Sequence, residues 1–120
     1  MLRRKGGKSI KSGSMYSFFG SALISSCGAA KGAIIQLTKA MAVEPAPHNI
    51  QVNTIAPGWI ETDTTAPAGT MPLNDDIPSR THAGRWGQPE ELAGTAVYLA
   101  SQPSDVVTGA TIRVDGGYAI

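Results

Sequence analysis

The sequence predicts an α/β domain built on a parallel sheet, and three observations carry that expectation. Strand-like and helix-like segments alternate along its 120 residues in the order strand, helix, strand, long connection, helix, strand. Alternation of that kind argues for crossover connections between parallel strands. Residues 26–44 carry Ala29, Ala30, Ala33, Ile34, Leu37, Ala40 and Met41 at three- and four-residue spacing, which gives one apolar helical face. Ile50-Gln51-Val52-Asn53-Thr54-Ile55 alternates like a strand and runs into Ala56-Pro57-Gly58, a turn signal.

Taken in order, residues 8–13 sit where a first strand can run. It is a poor one, with Ile10 its only strongly apolar residue. A central parallel strand should be almost continuously apolar. Lys11, Ser9 and Ser12 therefore suit an edge, where charge blocks unwanted pairing. Residues 14–25 hold Tyr16, Phe18 and Phe19 among glycines and serines and read as a loop with a packed aromatic patch. Ser25 or Ser26 can cap the helix that follows, because a serine hydroxyl accepts from a free N–H of the first turn. Pro45 and Pro47 end that helix. Residues 59–88 form a connection rich in Thr, Pro and Asp. Connections beyond about 12–15 residues are usually lids or binding loops. Pro89-Glu90-Glu91 opens a second helix, with proline at the first turn and acids at the positive end of the dipole. Residues 110–114 form the last strand, ended by Asp115-Gly116-Gly117. Three strands make a thin sheet with open edges, whereas parallel sheets are normally wider and covered on both faces.

Composition excludes several classes. Hydrophobic residues make up 42% and charged residues 16%, enough apolar content for a core. Net charge is +1 but unevenly spread. Residues 1–43 carry seven Lys/Arg and no acid. A basic arm can meet nucleic acid, yet no nucleic-acid motif accompanies it, so it reads as a solvated segment. Cys27 is the single cysteine, and no Cys/His spacing points to a metal. The basic start leads to Gly6-Gly7-Lys8-Ser9 rather than an apolar run, which argues against a secretion signal. No segment approaches the roughly 20 apolar residues of a membrane helix. The expected compartment is the cytoplasm.

Several stretches, in order and spacing, resemble the short-chain dehydrogenase/reductase family. They are Gly13-Ser14, Ala29-Ala30-Lys31-Gly32-Ala33, and Asn49 through Gly58. Thr62, Arg85-Trp86-Gly87-Gln88-Pro89-Glu90-Glu91 and Thr108 through Gly117 complete the set. The sequence is most similar to the sugar-acid and polyol branch, such as gluconate or deoxygluconate dehydrogenases, and the resemblance extends to acyl-carrier-protein reductases. It implies a partial Rossmann-like, doubly wound parallel sheet. Residues 1–120 would form the C-terminal half, with its last three strands and two helices. The glycine-rich turn that binds pyrophosphate at a helix N-terminus is not among these residues, so the copy is expected to be truncated and impaired.

The resemblance also implies roles. The family's Ser-Tyr-Lys set maps onto Ser14, Cys27 and Lys31, with Cys27 standing where the pattern has tyrosine. The implied cofactor is NAD or NADP, contacted by Lys31 at the nicotinamide ribose and by Pro57, Gly58, Ile60 and Thr62 at the carboxamide. Residues i and i+4 share a helix face, and a cation beside an acid lowers its pKa. The thiol ends one atom past Cβ, so Cys27 is expected to fall short of the reach a phenol has for proton transfer. Tyr16 is a candidate substitute phenol. His48 and His82 match no triad. The expected function is hydride transfer between NAD(P) and a small hydroxyl or keto substrate, such as a sugar acid or polyol. The alternatives are a non-catalytic piece that docks on an intact relative and, more remotely, a Ser14-dependent esterase, for which the G-x-S-x-G elbow is lacking. A small-molecule substrate and self-association, or association with an intact relative, are the expected partnerships, without nucleic acid or membrane.

Overall fold

A computed structural model describes residues 1–4, 6–70 and 73–120. Lys5 of the basic arm and Met71-Pro72 of the long connection lie outside them. Three strands form one sheet in the order β1-β2-β3, all parallel. They are β1 (Gly7–Ser12), β2 (Ile50–Pro57) and β3 (Thr111–Val114). The helices are α1 (Ser25–Val43), α2 (Leu73–Arg80) and α3 (Ala93–Ala100). Gly7 pairs with Ile50 and Ser12 with Ile55, while Thr54 pairs with Thr111 and Pro57 with Val114.

β2 is the centre of the fold, and every residue from Ile50 to Ala56 is buried. Its expected alternation does not separate an inside from an outside, because helices cover both faces. α1 covers one, where Ala42 packs on Ile50 and Val52. The other faces α3, which packs on β1 and β2. The polar residues of β2 are therefore buried and need partners. Thr54 Oγ1 lies 2.6 Å from Thr38 Oγ1 of α1. Asn53 donates through Nδ2 to the Val107 carbonyl at 2.7 Å and accepts from the Ala110 N–H at 3.0 Å, which registers β3 against β2.

β1 is an edge strand, as its lysines suggest. Lys8 is not simply solvated, however. Its Nζ donates to Asp105 Oδ1 at 2.6 Å and to Ser104 Oγ at 3.1 Å, which ties the edge to the turn after α3. The expected serine cap of α1 is not made. Ile24 occupies the cap position with no side-chain bond, and Ser25 is already helical. α1 ends at Val43, and a 3₁₀ turn over Ala46–His48 with Asn49 in the left-handed region turns the chain into β2. Residues 89–100 are helical in two parts. Pro89–Leu92 is a 3₁₀ turn boxed by Gln88 and Glu91, and α3 continues from it.

Residues 59–88 differ most from the expected open loop. They contain α2, a 3₁₀ turn over Ala66–Thr70 and a parallel bridge between Ile60 and Gly87. Ile77 is 1% exposed and anchors α2. The radius of gyration is 15.7 Å, above the ~14 Å expected of a compact domain of this length. The excess lies along one axis, with extents of 51 × 26 × 25 Å. Among the described residues, no helix is long and apolar enough to cross a membrane.

Candidate active site

All three strands run the same way, so the segments that follow them gather at one end of the sheet. Ser14 to Phe19 follow β1, Gly58-Trp59 follow β2, and Asp115 to Tyr118 follow β3. In open α/β sheets this carboxyl end is where ligands bind.

The Ser14 segment is held by a closed set of bonds. Ser14 is the cap of a 3₁₀ turn over Met15–Ser17, and its Oγ accepts from the Tyr16 N–H at 3.2 Å. Ser17 Oγ accepts from the Ser14 N–H at 3.2 Å and donates to the Lys31 carbonyl at 2.8 Å. Lys31 Nζ donates to the Ser12 carbonyl at 2.9 Å. The loop is thus clamped to α1 one turn beyond Cys27, from both sides of Ser14. Ser14 as a cap and Ser14 as a reactive hydroxyl are compatible, because a hydroxyl that accepts one bond keeps its own proton to donate. Lys31 uses one of three ammonium donors on Ser12 and keeps the others. Cys27 is a half-buried free thiol in the first turns of α1.

Tyr16, the candidate substitute phenol, packs edge-on against Phe19 at 5.2 Å and Trp59 at 6.3 Å between ring centres. Burial, and then Tyr118, push its phenol above the ordinary value; Arg80 opposes this, and Cys27 adds to it. That direction is wrong for a proton-transfer group working near neutral pH, which needs its pKa brought down. Tyr16 is a member of the aromatic floor.

That floor comprises Tyr16, Phe19, Trp59, Trp86 and Tyr118. Trp59 lies 5.2 Å from Trp86 and 6.5 Å from Tyr118, and Phe19 is 5.9 Å from Tyr118. The indole N–H groups of Trp59 and Trp86 are buried without a hydrogen-bond partner. An unpaired buried donor costs about 1–3 kcal/mol. The Arg80 guanidinium stands over the Tyr118 ring at 4.7 Å. Arg80, Trp59 and Tyr118 escaped the sequence reading. For Arg80 the signal present was charge order, with Asp75 and Asp76 in the first turn and Arg80 in the last turn of a short helix.

The residues implied for cofactor contact line the exit of β2. Gly58 donates to the Val114 carbonyl at 3.0 Å. A Cβ on Gly58 would stand 2.6 Å from the Asp115 Cα, so the close approach of the two strand ends requires glycine. The Ile60 carbonyl accepts from Thr65 Oγ1 at 2.6 Å, and the Thr62 hydroxyl lies 3.1 Å from the same atom. Thr62 lines an open cavity of about 280 Å³ with Glu61, Thr65, Ala66, Asn74 and Trp86. His48 is exposed, and His82 Nδ1 lies 2.9 Å from the Gly117 carbonyl, a structural contact.

Known proteins share this fold and much of this sequence. A family model described as enoyl-(acyl carrier protein) reductase matches residues 1–119. The 2-dehydro-3-deoxy-D-gluconate 5-dehydrogenase of Bacillus subtilis is 48% identical over 119 residues, covering 98% of this chain and 47% of that protein. The 5-keto-D-gluconate 5-reductase of Escherichia coli K12 is 46% identical over 121 residues, covering 100% of this chain and 48% of that protein. A solved structure of a gluconate 5-dehydrogenase from Burkholderia cenocepacia, in complex with NADP and tartrate, superposes with a TM-score of 0.95 at 42% identity. It covers 98% of this chain and 46% of that one. The chain spans about half the length of the curated relatives it matches.

Proposed function

The chain belongs to the short-chain dehydrogenase/reductase family, and we propose that it forms the substrate-side half of an NAD(P)-linked dehydrogenase of gluconate-type sugar acids, impaired at position 27. The observation that carries the proposal is the clamp between Ser14 and α1. Bonds from Ser17 to the Lys31 carbonyl and from Lys31 to the Ser12 carbonyl tie the loop that carries Ser14 to α1, on which position 27 lies one turn before Lys31. The names of the similar proteins supply the substrate class.

NAD(P), when bound, supplies the hydride or accepts it. Ser14 donates its hydroxyl proton to the substrate oxygen, since its acceptor side is already engaged by the Tyr16 N–H. Lys31 holds the nicotinamide ribose with the donors not spent on Ser12. Pro57, Gly58, Ile60 and Thr62 line the path for the nicotinamide, and NADP is the cofactor to test first, because the Burkholderia protein carries it. The proton that leaves or joins the substrate oxygen needs a group at position 27, and the Cys27 thiol is too short to reach it. No glycine-rich motif for the phosphates and adenine occurs in these 120 residues. The proposed compartment is the cytoplasm, where a lone thiol such as Cys27 stays reduced.

A second reading is favoured by one observation. Val97 (67% exposed) and Tyr98 on α3, with Leu37 and Met41 on α1, are large apolar side chains left uncovered. They suit docking on another copy or on an intact relative.

The test joins residues 1–120 to the N-terminal half of an intact relative, with Cys or Tyr at position 27. Turnover of 5-keto-D-gluconate is followed by NADPH absorbance. The Tyr form is expected to turn over and the Cys form to be at least ~10-fold slower, since acid–base groups contribute about 10²–10⁴ in rate. Equal rates remove position 27 from the chemistry. NAD(P)-linked turnover by the unjoined 120-residue chain overturns the impairment.

A further inference from the structure

We propose that Arg80 is the carboxylate receptor of the sugar-acid site, its guanidinium held above Tyr118 to take the substrate's carboxylate as a two-point ion pair. The inference rests on the reading of a gluconate-type substrate and adds the residue that tells an acid from a neutral polyol.

Three features of the fold carry it. The first is place. Tyr118 and its neighbours Trp59 and Phe19 come from segments following all three parallel strands, so the ring beneath Arg80 belongs to the ligand-binding end of the sheet. The Ser14 loop joins the same floor through Tyr16, whose ring meets both Trp59 and Phe19. Arg80 thus lies over the same aromatic floor as the ring of Tyr16, two residues after Ser14.

The second is position. Arg80 is the last residue of α2, and the residues after it are pinned. Ala83 donates to the Gly116 carbonyl at 2.9 Å, and His82 Nδ1 lies 2.9 Å from the Gly117 carbonyl. Ile77 and Thr81, on either side of Arg80, are buried. Asp115 in turn fixes the turn bearing Tyr118, accepting from the N–H groups of Gly117 and Ala119 at 3.0 and 3.1 Å. Tyr118 is 9% exposed, so the surface on which the guanidinium stacks is a fixed one.

The third is charge. Arg85 is paired with Glu91, and Arg113 donates to the Ala119 carbonyl at 2.6 Å. Among the described residues Arg80 has no carboxylate partner, and Asp76, one turn back on α2, makes no ion pair with it. A planar guanidinium stacked on an aromatic ring keeps its edge N–H groups free, and that edge matches a carboxylate in bidentate geometry. A lysine in the same place carries the charge without the fork.

The experiment titrates D-gluconate, its neutral counterpart D-glucitol and inorganic phosphate into the 120-residue chain, following the fluorescence of Trp59 and Trp86. It is repeated with Arg80→Gln and Arg80→Lys, each checked for an unchanged far-UV spectrum. Gluconate is expected to saturate the unmodified chain and to be preferred over glucitol. Arg80→Gln is expected to reduce that preference at least tenfold, and Arg80→Lys to retain part of it. An unchanged preference in Arg80→Gln, no saturable gluconate signal, or a stronger response to phosphate than to gluconate each overturns the proposal. Failure here is separable from failure of the proposed function. If the joined enzyme reduces 5-keto-D-gluconate with the same KM after Arg80→Gln, the oxidoreductase reading stands without this residue. If the joined enzyme is inert but the preference vanishes with Arg80, the receptor stands without the chemistry.

Discussion

Gly58 and Gly32 make one substitution with two opposite outcomes. At Gly58 the chain leaves β2 and passes so close to the end of β3 that an added Cβ would lie 2.6 Å from the Asp115 Cα and 2.7 Å from its Cβ. Ordinary contact starts near 3.4 Å, so the Asp115 backbone must retreat by about 0.8 Å. Overpacking of that order costs about 1–3 kcal/mol. The retreat also stretches the Gly58-to-Val114 hydrogen bond of 3.0 Å, worth about 0.5–1.5 kcal/mol. Reduced freedom of the unfolded chain returns about 0.4–1 kcal/mol, leaving Gly58→Ala a net loss of about 0.5–4 kcal/mol. Gly32 lies inside α1 with nothing within 4 Å of its would-be Cβ. Gly32→Ala therefore gains about 0.5–1 kcal/mol from helix propensity alone. At roughly 4 °C per kcal/mol for a chain of this size, thermal unfolding followed by circular dichroism should show a fall of about 2–16 °C for Gly58→Ala and a rise of about 2–4 °C for Gly32→Ala. A Gly58→Ala protein as stable as the parent would refute the close approach of β2 and β3, and with it the seat of Tyr118.

Thr38→Val removes one half of a buried hydroxyl pair and leaves Thr54 Oγ1 unpaired; a loss of about 1–3 kcal/mol is expected in urea titrations, and no loss would dissolve the case for that pair as the α1–β2 tie. The hydrogen bond from Arg85, then the Gln88 N–H, holds the Glu91 carboxyl down at about 2. Its contribution to stability is complete above the ordinary glutamate value of about 4.3 and disappears as pH falls through about 2. Carboxyl NMR should show the Glu91 midpoint moving up toward the ordinary range in Arg85→Gln, and an unmoved midpoint would detach Arg85 from the effect. The uncovered apolar residues of α1 and α3 are expected to drive self-association, so a monodisperse monomer at high concentration by light scattering would count against the docking reading.

The large elements were legible because their signal is periodic and local. The apolar spacing from Ala29 to Met41 marks α1, and the run from Ile50 to a proline-glycine turn marks β2. What escaped depends on contacts between distant residues. Lys8 reads as a solvated charge until the turn after α3 brings Asp105 to it from 97 residues away. Asn53 and Thr54, which point to opposite faces of β2, read as ordinary polar residues of a strand until β3 and α1 supply their buried partners. α2 was hidden for a different reason. It has Pro78 inside it, and it is held by the burial of Ile77 rather than by its own propensity. The serine cap of α1 failed because Ser25 is already inside the helix, and two candidate caps in a row cannot be ranked from residue type alone. At the site, Ser14, Cys27 and Lys31 came into view only through the family resemblance of the stretches around them, whereas the aromatic floor and Arg80 required the three strand ends to be brought together.

Position 27 stands apart from the bonds that build the site. The clamp around Ser14 runs through the Ser17 hydroxyl, the Lys31 carbonyl and ammonium, and the Ser12 carbonyl, and none of these bonds uses the side chain at 27. The packing of α1 rests on Ile35, Thr38 and Ala42, two turns or more further along the helix. On the proposed reading, a thiol in place of a phenol would remove the group needed for proton transfer while leaving the geometry that would orient it. The same independence bounds what restoring tyrosine can achieve. Its rate factor of about 10²–10⁴ is realised only where cofactor and substrate are already held in line. On the proposed reading these residues would hold the ribose–nicotinamide end and, through Arg80, the acid end of the substrate, but the sequence contains no glycine-rich phosphate-binding motif. Cys27→Tyr in the unjoined chain should thus leave NADP-linked turnover undetectable, and the gain should emerge only when the cofactor's phosphates are held by the rest of a complete domain.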